Sequence, residues 1–489
     1  MPYYNSKVTS SVEVKNKNVT VNYNVTLGSR FPITEIHYNI PERGDFAEDF
    51  YADTVNVTVR PGSFLSEDLL DMESERSAAA MRLKGYYGFS KMYYSFEADT
   101  LTHPGQAILE MRVSEYTRGE SEENAQPIKR YTIGDVAITR PSSIKFRDKV
   151  LKGMSTIKPG QPYSESEISK TYSRMSALKA FNSVNAVLTP RDSFVVDCDF
   201  LLTQSKIQSF KTVLETSSNS SGLIGISPQV TYSHKNIFHG GEWLNLSFLG
   251  NFQFKFNENT FSNEFGVSAG LSFPKLFGIP YHRFRGAYIP RTDISASYNF
   301  QDRPEYKRNV AALSFGYSGR IKDRLFYQYY PVQANIVGLK DIAPEFYRQL
   351  VNNPFLRYAY EDHFDEGAGM TLYYTTNSDV VPRESYHYIR FAGDLSGNVI
   401  SLFNPMLSER GDGIKTIFGL PYSQYVRGEL TLGKTWKFGK NNGQAIATRL
   451  LAGAGYAYGN SSTLPYEKQF YSGGANSLRG WQARSVGPG

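Results

Sequence analysis

The C-terminal half of this sequence alternates apolar and polar residues over runs that few folds can use. In Trp243–Asn257 the even positions are Leu244, Leu246, Phe248, Gly250, Phe252, Phe254 and Phe256, while Asn245, Ser247, Asn251, Gln253 and Lys255 hold odd ones. Phe261, Phe265, Val267, Ala269, Leu271 and Phe273 repeat the pattern against Ser262, Glu264, Ser268 and Ser272. So do Ile294, Ala296, Tyr298 and Phe300, and then Val426, Leu430, Leu432, Trp436 and Phe438. Successive side chains of a strand point to opposite faces. Strands of ten or more residues exceed the usual five or six, which weighs against a soluble sandwich. They fit a wall with lipid on one face and a wet lumen on the other. Eleven such strands are read at 209–219, 222–235, 242–256, 261–274, 292–302, 308–320, 323–339, 367–376, 384–400, 423–438 and 444–458.

Composition agrees and excludes several rivals. Aromatics are 14% of 489 residues, with 35 Tyr and 32 Phe, as interfacial girdles require. No apolar stretch reaches the length of a transmembrane helix. The net charge of +6 is spread along the chain, with no basic block to suit nucleic acid. Cys198 is the single cysteine and reads as a small packed residue. Among the seven histidines only His234 and His239 lie close together, and no cysteine or carboxylate cluster completes a ligand set. No GxSxG, Walker loop or HExxH occurs. His387 beside Ser385 is the one sequence-adjacent base and nucleophile, and a triad is defined by geometry rather than by neighbours in sequence. No catalytic, cofactor-binding or metal-binding residue is expected.

The N-terminal half has a different rhythm. Val12, Val14, Val19, Val21 and Val25 flank a Lys15–Asn18 turn, a hairpin that reads as the tail of a domain begun earlier. A strand at 33–40 follows, then a helix from Ser63 to Gly85 with Leu65, Leu69, Met72, Arg76, Ala79 and Leu83 on one face. Strands at 90–97 and 107–113 complete the unit, and a polar linker fills 117–128. The pattern then repeats. A strand at 131–139 and a short helix at 146–154 precede a second helix opened by Ser164 with Glu167 three residues on, and two strands end at 203.

The last nineteen residues carry a denser signal: Gly473-Gly474, Arg479-Gly480-Trp481 and Gly487-Pro488-Gly489. The string resembles the sixth extracellular loop of the BamA/TamA superfamily of outer-membrane β-barrels. The order β-α-α-β-β, with Pro159-Gly-Gln-Pro-Tyr163 and Leu178-Lys-Ala-Phe-Asn-Ser-Val184, resembles a POTRA domain, and the earlier unit with Glu73-Ser-Glu-Arg76 resembles another. Segments at 197–203, 208–210, 219–222, 234–242, 303–308 and 466–470 resemble the TamA-like lipoprotein (TamL) branch of Bacteroidota. The resemblance implies α+β POTRA domains followed by a transmembrane antiparallel β-barrel, here about eleven of sixteen strands. It places the end of an incomplete POTRA at 1–30, POTRAs at 31–116 and 129–208, and a partial barrel at 209–489. It implies an outer-membrane location in a Gram-negative bacterium with POTRAs in the periplasm. The implied partners are outer-membrane lipids, unfolded outer-membrane protein clients and a TamB-like inner-membrane protein.

In that family the loop folds into the lumen. Arg479 is then expected inside the curled sheet, solvated or borrowing an acid such as Glu429. Gly480 is expected at a close backbone approach and Trp481 packed on the inner wall. The first barrel strand, with Phe210, Thr212, Leu214 and Thr216, is short and mostly polar, as a labile lateral seam requires. The leading function is insertion or export of β-barrel or surface clients without enzymatic chemistry. A BamA-type core insertase and a polypeptide-secretion pore are the alternatives.

Overall fold

The computed structural model describes residues 3–489 except 16–17, 43, 192–193, 219–223, 256–259, 353–359, 378, 380, 474–477, 479, 482–485 and 487–489. The chain forms two compact units. The first takes residues 1–139, 156–172 and 185–201, and the second takes 140–155, 173–184 and 202–489.

Strands β1 (Lys7–Lys15) and β2 (Asn18–Thr26) pair as a two-stranded ribbon. Its six valines are 43–68% exposed, since two strands alone offer no second layer. Then come β3 (Ile33–Asn39), α1 (Phe46–Asp53), α2 (Glu67–Leu83), β4 (Tyr94–Asp99) and β5 (Ala107–Val113). The sheet order is β3-β5-β4, with β3 parallel to β5. Alternation in β5 buries Ala107, Leu109, Met111 and Val113, and the core adds Phe46, Phe50, Met81, Tyr86, Phe89 and Tyr94.

One element was not read from the sequence and one expectation fails here. The eight-residue α1 has no helix assigned to it by spacing, yet it buries Phe46 and Phe50. The buried face of α2 is Glu73, Ser74, Ser77, Ala78 and Met81, while Met72 and Leu83 are exposed. Small residues admit the ring of Tyr94, whose hydroxyl meets Ser77 Oγ at 2.8 Å. Glu73 tolerates burial because the Thr58 N–H and hydroxyl and the Arg76 guanidinium all donate to it. Helical spacing of large apolar residues misses a face built from small and paired polar ones.

The second repeat comprises β6 (Thr132–Thr139), α3 (Asp148–Met154), α4 (Glu165–Ser176), β7 (Phe181–Arg191) and β8 (Val195–Gln204). Its order is β6-β8-β7, with β6 parallel to β8. Cys198 on β8 is buried. Burial, helped by Asp199, pushes its thiol up to about 11. At pH 8 only about one thiol in a thousand is then a thiolate. Iodoacetamide is expected to leave the native protein unmodified and to add one adduct in guanidinium. Rapid native labelling would contradict this.

The remaining strands are β9 (Gln208–Ser218), β10 (Ile224–His234), β11 (Trp243–Lys255), β12 (Thr260–Phe273), β13 (Arg291–Asp302), β14 (Lys307–Ile321), β15 (Leu325–Lys340), β16 (His363–Thr375) and β17 (Tyr386–Ser396). A small sheet, β18 (Ser408–Glu409), β19 (Lys415–Ile417) and β20 (Leu420–Pro421), precedes β21 (Tyr425–Phe438) and β22 (Gln444–Ala457). Helix α5 (Pro344–Asn352) follows β15. Strands β9–β17, β21 and β22 form one eleven-stranded antiparallel sheet in consecutive order. Its strand ends fall within two residues of those read from alternation, save at two places. β16 starts four residues early, at His363, and β17 stops at Ser396, where Gly397 (φ 75°) opens a one-turn helix. β9 and β22 are the sheet edges among the described residues. No described helix is long and apolar enough to cross a membrane.

Candidate functional site

On β21 the even positions Val426, Leu430, Leu432, Trp436 and Phe438 form an exposed apolar face. The odd positions Tyr425, Arg427, Glu429 and Thr431 face the other way, and there they gather partners. Arg390 on β17 meets Glu429 at 2.8 Å, and Arg427 meets the same carboxylate at 3.1 Å. Arg427 also reaches Asp394 at 3.6 Å, donates through Nε to the Lys468 carbonyl at 2.9 Å, and lies 4.3 Å from the centroid of the Phe470 ring. Lys468 Nζ returns to Asp394 at 3.3 Å. One guanidinium therefore bridges two wall strands to the segment after β22.

That segment is pinned along its length. Glu467 pairs with Arg308 on β14 and stands 3.7 Å from His363 Nε2. The Tyr466 ring lies 5.3 Å from that of Tyr360, which leans on Tyr306. Glycine makes room on β22: a Cβ at Gly453 would sit 2.4 Å from the Phe470 ring, and one at Gly455 2.5 Å from Leu464. Leu464–Phe470 is thus strapped onto the polar face of β14, β16, β17, β21 and β22. Each charge–charge contact there is a hydrogen-bonded or near-hydrogen-bonded pair in a partly dry setting, stronger than a surface pair.

Of the residues expected to carry this role, only some are described. Arg479, Gly474, Gly487 and Pro488 lie outside the described residues. Gly473 is buried with φ 95°, a conformation that suits glycine. Among the described residues, no atom lies within 4 Å of the position a Cβ would take at Gly480. Trp481 is 57% exposed. It shares a turn with Leu478, to whose carbonyl its N–H donates at 3.1 Å. Among the described residues, Glu429 pairs with Arg390 and Arg427. The strap residues Glu467, Lys468 and Phe470 were visible only as part of a likeness, since a five-residue polar-aromatic string does not say what it touches.

The edge holds the second feature. Phe210, Thr212, Leu214 and Thr216 share the face of Tyr232, Val230 and Ile226 on β10, and through them that of Phe248 and Phe252 on β11. Only two of the four are apolar, and Phe210 is 75% exposed. The β10–β11 ladder is interrupted one strand further in. Ile226 pairs with Phe252 and Gln229 with Leu249, but Ser227 and Pro228 have no ladder partner on β11. Proline has no N–H to donate, which confines it to sheet edges and irregularities. The Ser227–Asn251 side-chain bond at 3.1 Å spans the gap. A proline inside an alternating run was the available signal.

Where β11 begins and β12 ends, Arg174 of α4 and residues just before α3 and after α4 fasten to the sheet. Buried Glu242 pairs with Arg147 and accepts from the Gly240 N–H at 2.8 Å. Asn236 donates to the Lys145 carbonyl and accepts from Gly241 N–H. Arg174 donates to the carbonyls of Phe284 and Gly286, and Lys179 Nζ stands 2.8 Å from the Trp243 ring centroid.

Ser385 Oγ accepts from Lys437 N–H, and among the described residues no hydrogen bond joins it to His387. No described group of His, Cys, Asp and Glu is arranged to hold a metal ion.

A long-stranded antiparallel wall with an exposed apolar face, a charged opposite face, a strapped inner segment and two preceding β-α-α-β-β repeats defines an outer-membrane β-barrel protein of the POTRA-bearing kind. The chain belongs to the Omp85 superfamily, whose domain matches residues 236–489. Its fold is similar to that of BamA from Haemophilus ducreyi lacking POTRA domains 1–3, at 15% identity and a TM-score of 0.54, covering 94% of this chain and 77% of that one. Weaker likenesses are CdiB from Acinetobacter baumannii (14% identity, TM-score 0.47, 93% and 73% covered) and POTRA3–5 of Haemophilus influenzae BamA (13%, 0.30, 42% and 74%). No curated protein matches the sequence. The protein is an outer-membrane protein with periplasmic POTRA domains and a general role in outer-membrane assembly or secretion. Omp85 proteins are non-enzymatic assembly and transport factors.

Proposed function

We propose that this protein inserts or exports β-barrel or surface clients at the β9 edge, with the POTRA repeats receiving them from the periplasm. The observation that carries the reading is the interrupted β10–β11 ladder at Pro228, beside an eleven-residue edge strand with only two apolar residues on its lipid-side row. An unpaired strand edge is a template for another chain. A hairpin tied to its wall by an incomplete ladder opens more readily than one fully paired. The TamL branch and a TamB-like inner-membrane partner belong to the same proposal, supported by sequence likeness.

Pro228→Val is the test. It restores a donor to the ladder, worth about 1 kcal/mol per hydrogen bond, and is expected to leave barrel folding intact while slowing client insertion several-fold in reconstituted membranes. Unchanged insertion alongside unchanged folding would remove the edge hairpin from the mechanism. A pore conducts ions and needs no mobile edge, so intact conductance with no dependence on Pro228 would favour a secretion channel.

A further inference from the structure

We propose that the periplasmic end of the barrel holds a binding site for a single-chain anionic amphiphile, an acyl body ending in a carboxylate or phosphate. A cavity of about 380 Å³ opens there, bounded by α3 and α4 on one side and by the polar face of β13–β16 on the other. That volume lies within the range of small-molecule sites, ~300–1,000 Å³. Its walls are largely apolar, with Met154, Leu178, Pro274, Ile289, Phe326 and Tyr373 contributing.

Three guanidiniums line the same cavity and differ in how they are neutralised. Arg174 is spent on the carbonyls of Phe284 and Gly286. Arg320 binds Asp323 at 2.6 Å and lies over the rings of Tyr288 and Phe326. Arg291 donates only through Nε, to Ser272 Oγ at 2.9 Å. Its Nη2 is buried without a hydrogen-bond partner, and among the described residues no carboxylate forms an ion pair with it. The adjacent acid, Asp293, accepts instead from the Ser272 and Ser318 hydroxyls. An unpaired guanidinium in an apolar cavity is costly unless an anion answers it. Asp293 offsets part of this charge through space, and a second cation, Lys179, stands close. Lys179 is pushed down to about 8, by burial first and then by Arg291 and Lys235.

The choice of an acyl body over a peptide follows from the walls. β13–β16 are each paired on both sides, so they offer side chains and no free main-chain partners. A peptide backbone would bring N–H and C=O groups with nothing to satisfy them. A hydrocarbon chain brings none.

The test uses [1-¹³C]octanoate, which is soluble below its micelle concentration, added to the full chain in lipid nanodiscs. Octyl phosphate, octanol and octylammonium serve as competitors. Saturable binding of octanoate is expected, displaced by octyl phosphate and not by octylammonium. Arg291→Gln should weaken it about tenfold, the scale of one charge-assisted hydrogen bond, and Thr371→Trp should fill the cavity and abolish it. Removing an unpaired charge should not unfold the barrel, and heat-modifiable mobility checks that for both variants. Equal octanoate uptake by all three proteins would mean partition into the nanodisc lipid and would overturn the site. Preference for octyl phosphate identifies a phospholipid-type head, and preference for octanoate a free fatty acid.

Discussion

Arg427→Ala is expected to free the Leu464–Phe470 strap and lower the barrel's heat-modification temperature while the POTRA repeats stay folded. Arg427 is the shared partner of Asp394, Glu429, the Lys468 carbonyl and the Phe470 ring. Truncating one member of a buried pair costs roughly 3–5 kcal/mol. The lower end applies here, because Arg390 still holds Glu429 and Lys468 still holds Asp394. About 3 kcal/mol corresponds to a fall of roughly 6–12 °C for a unit of this size. Arg427→Lys keeps the charge but loses the fork, and should recover less than half of the loss. Wild-type mobility in Arg427→Ala would remove the strap from the stability of the wall.

The second large effect lies where α3 meets the sheet. Arg147→Ala strands the buried Glu242 carboxylate with the Gly240 N–H as its remaining hydrogen-bond donor. A loss of roughly 3–5 kcal/mol is expected, seen as faster proteolysis within residues 140–184 before the barrel itself yields. Arg147→Ala with Glu242→Gln removes the stranded charge and should restore most of the stability. Two single losses that simply add would show that the pair is not coupled.

Much of the fold was legible because lipid and lumen impose a two-residue period that survives in sequence. Phe248, Val267 and Leu430 mark the exposed apolar face, and their polar neighbours mark the other. His363–Glu366 opens β16 but escaped that reading, since both faces are polar or aromatic there: His363 and Asp365 are buried, with His363 beside Glu467, while Glu366 takes the alternate position. The buried face of α2 escaped for a related reason, its contacts resting on Ser74, Ser77 and a satisfied Glu73. The candidate site was legible in outline only. A glycine-rich terminal string pointed to a luminal segment, but the side chains that fasten it, Glu467, Lys468 and Phe470, take their meaning from Arg308, Asp394, Arg427 and Gly453, which are up to 159 residues away in sequence. Pro228 was visible throughout; its effect depended on which neighbour its missing N–H faced.

Client contact at β9 is the most direct measurement. A photo-crosslinking residue at Thr212, with Thr448 on β22 as comparison, is introduced into cells carrying the full-length protein. Adducts with unfolded outer-membrane proteins are expected at Thr212, diminished by Pro228→Val. An absence of client adducts at Thr212 in cells whose barrel is folded and conducts ions would contradict a client-handling edge.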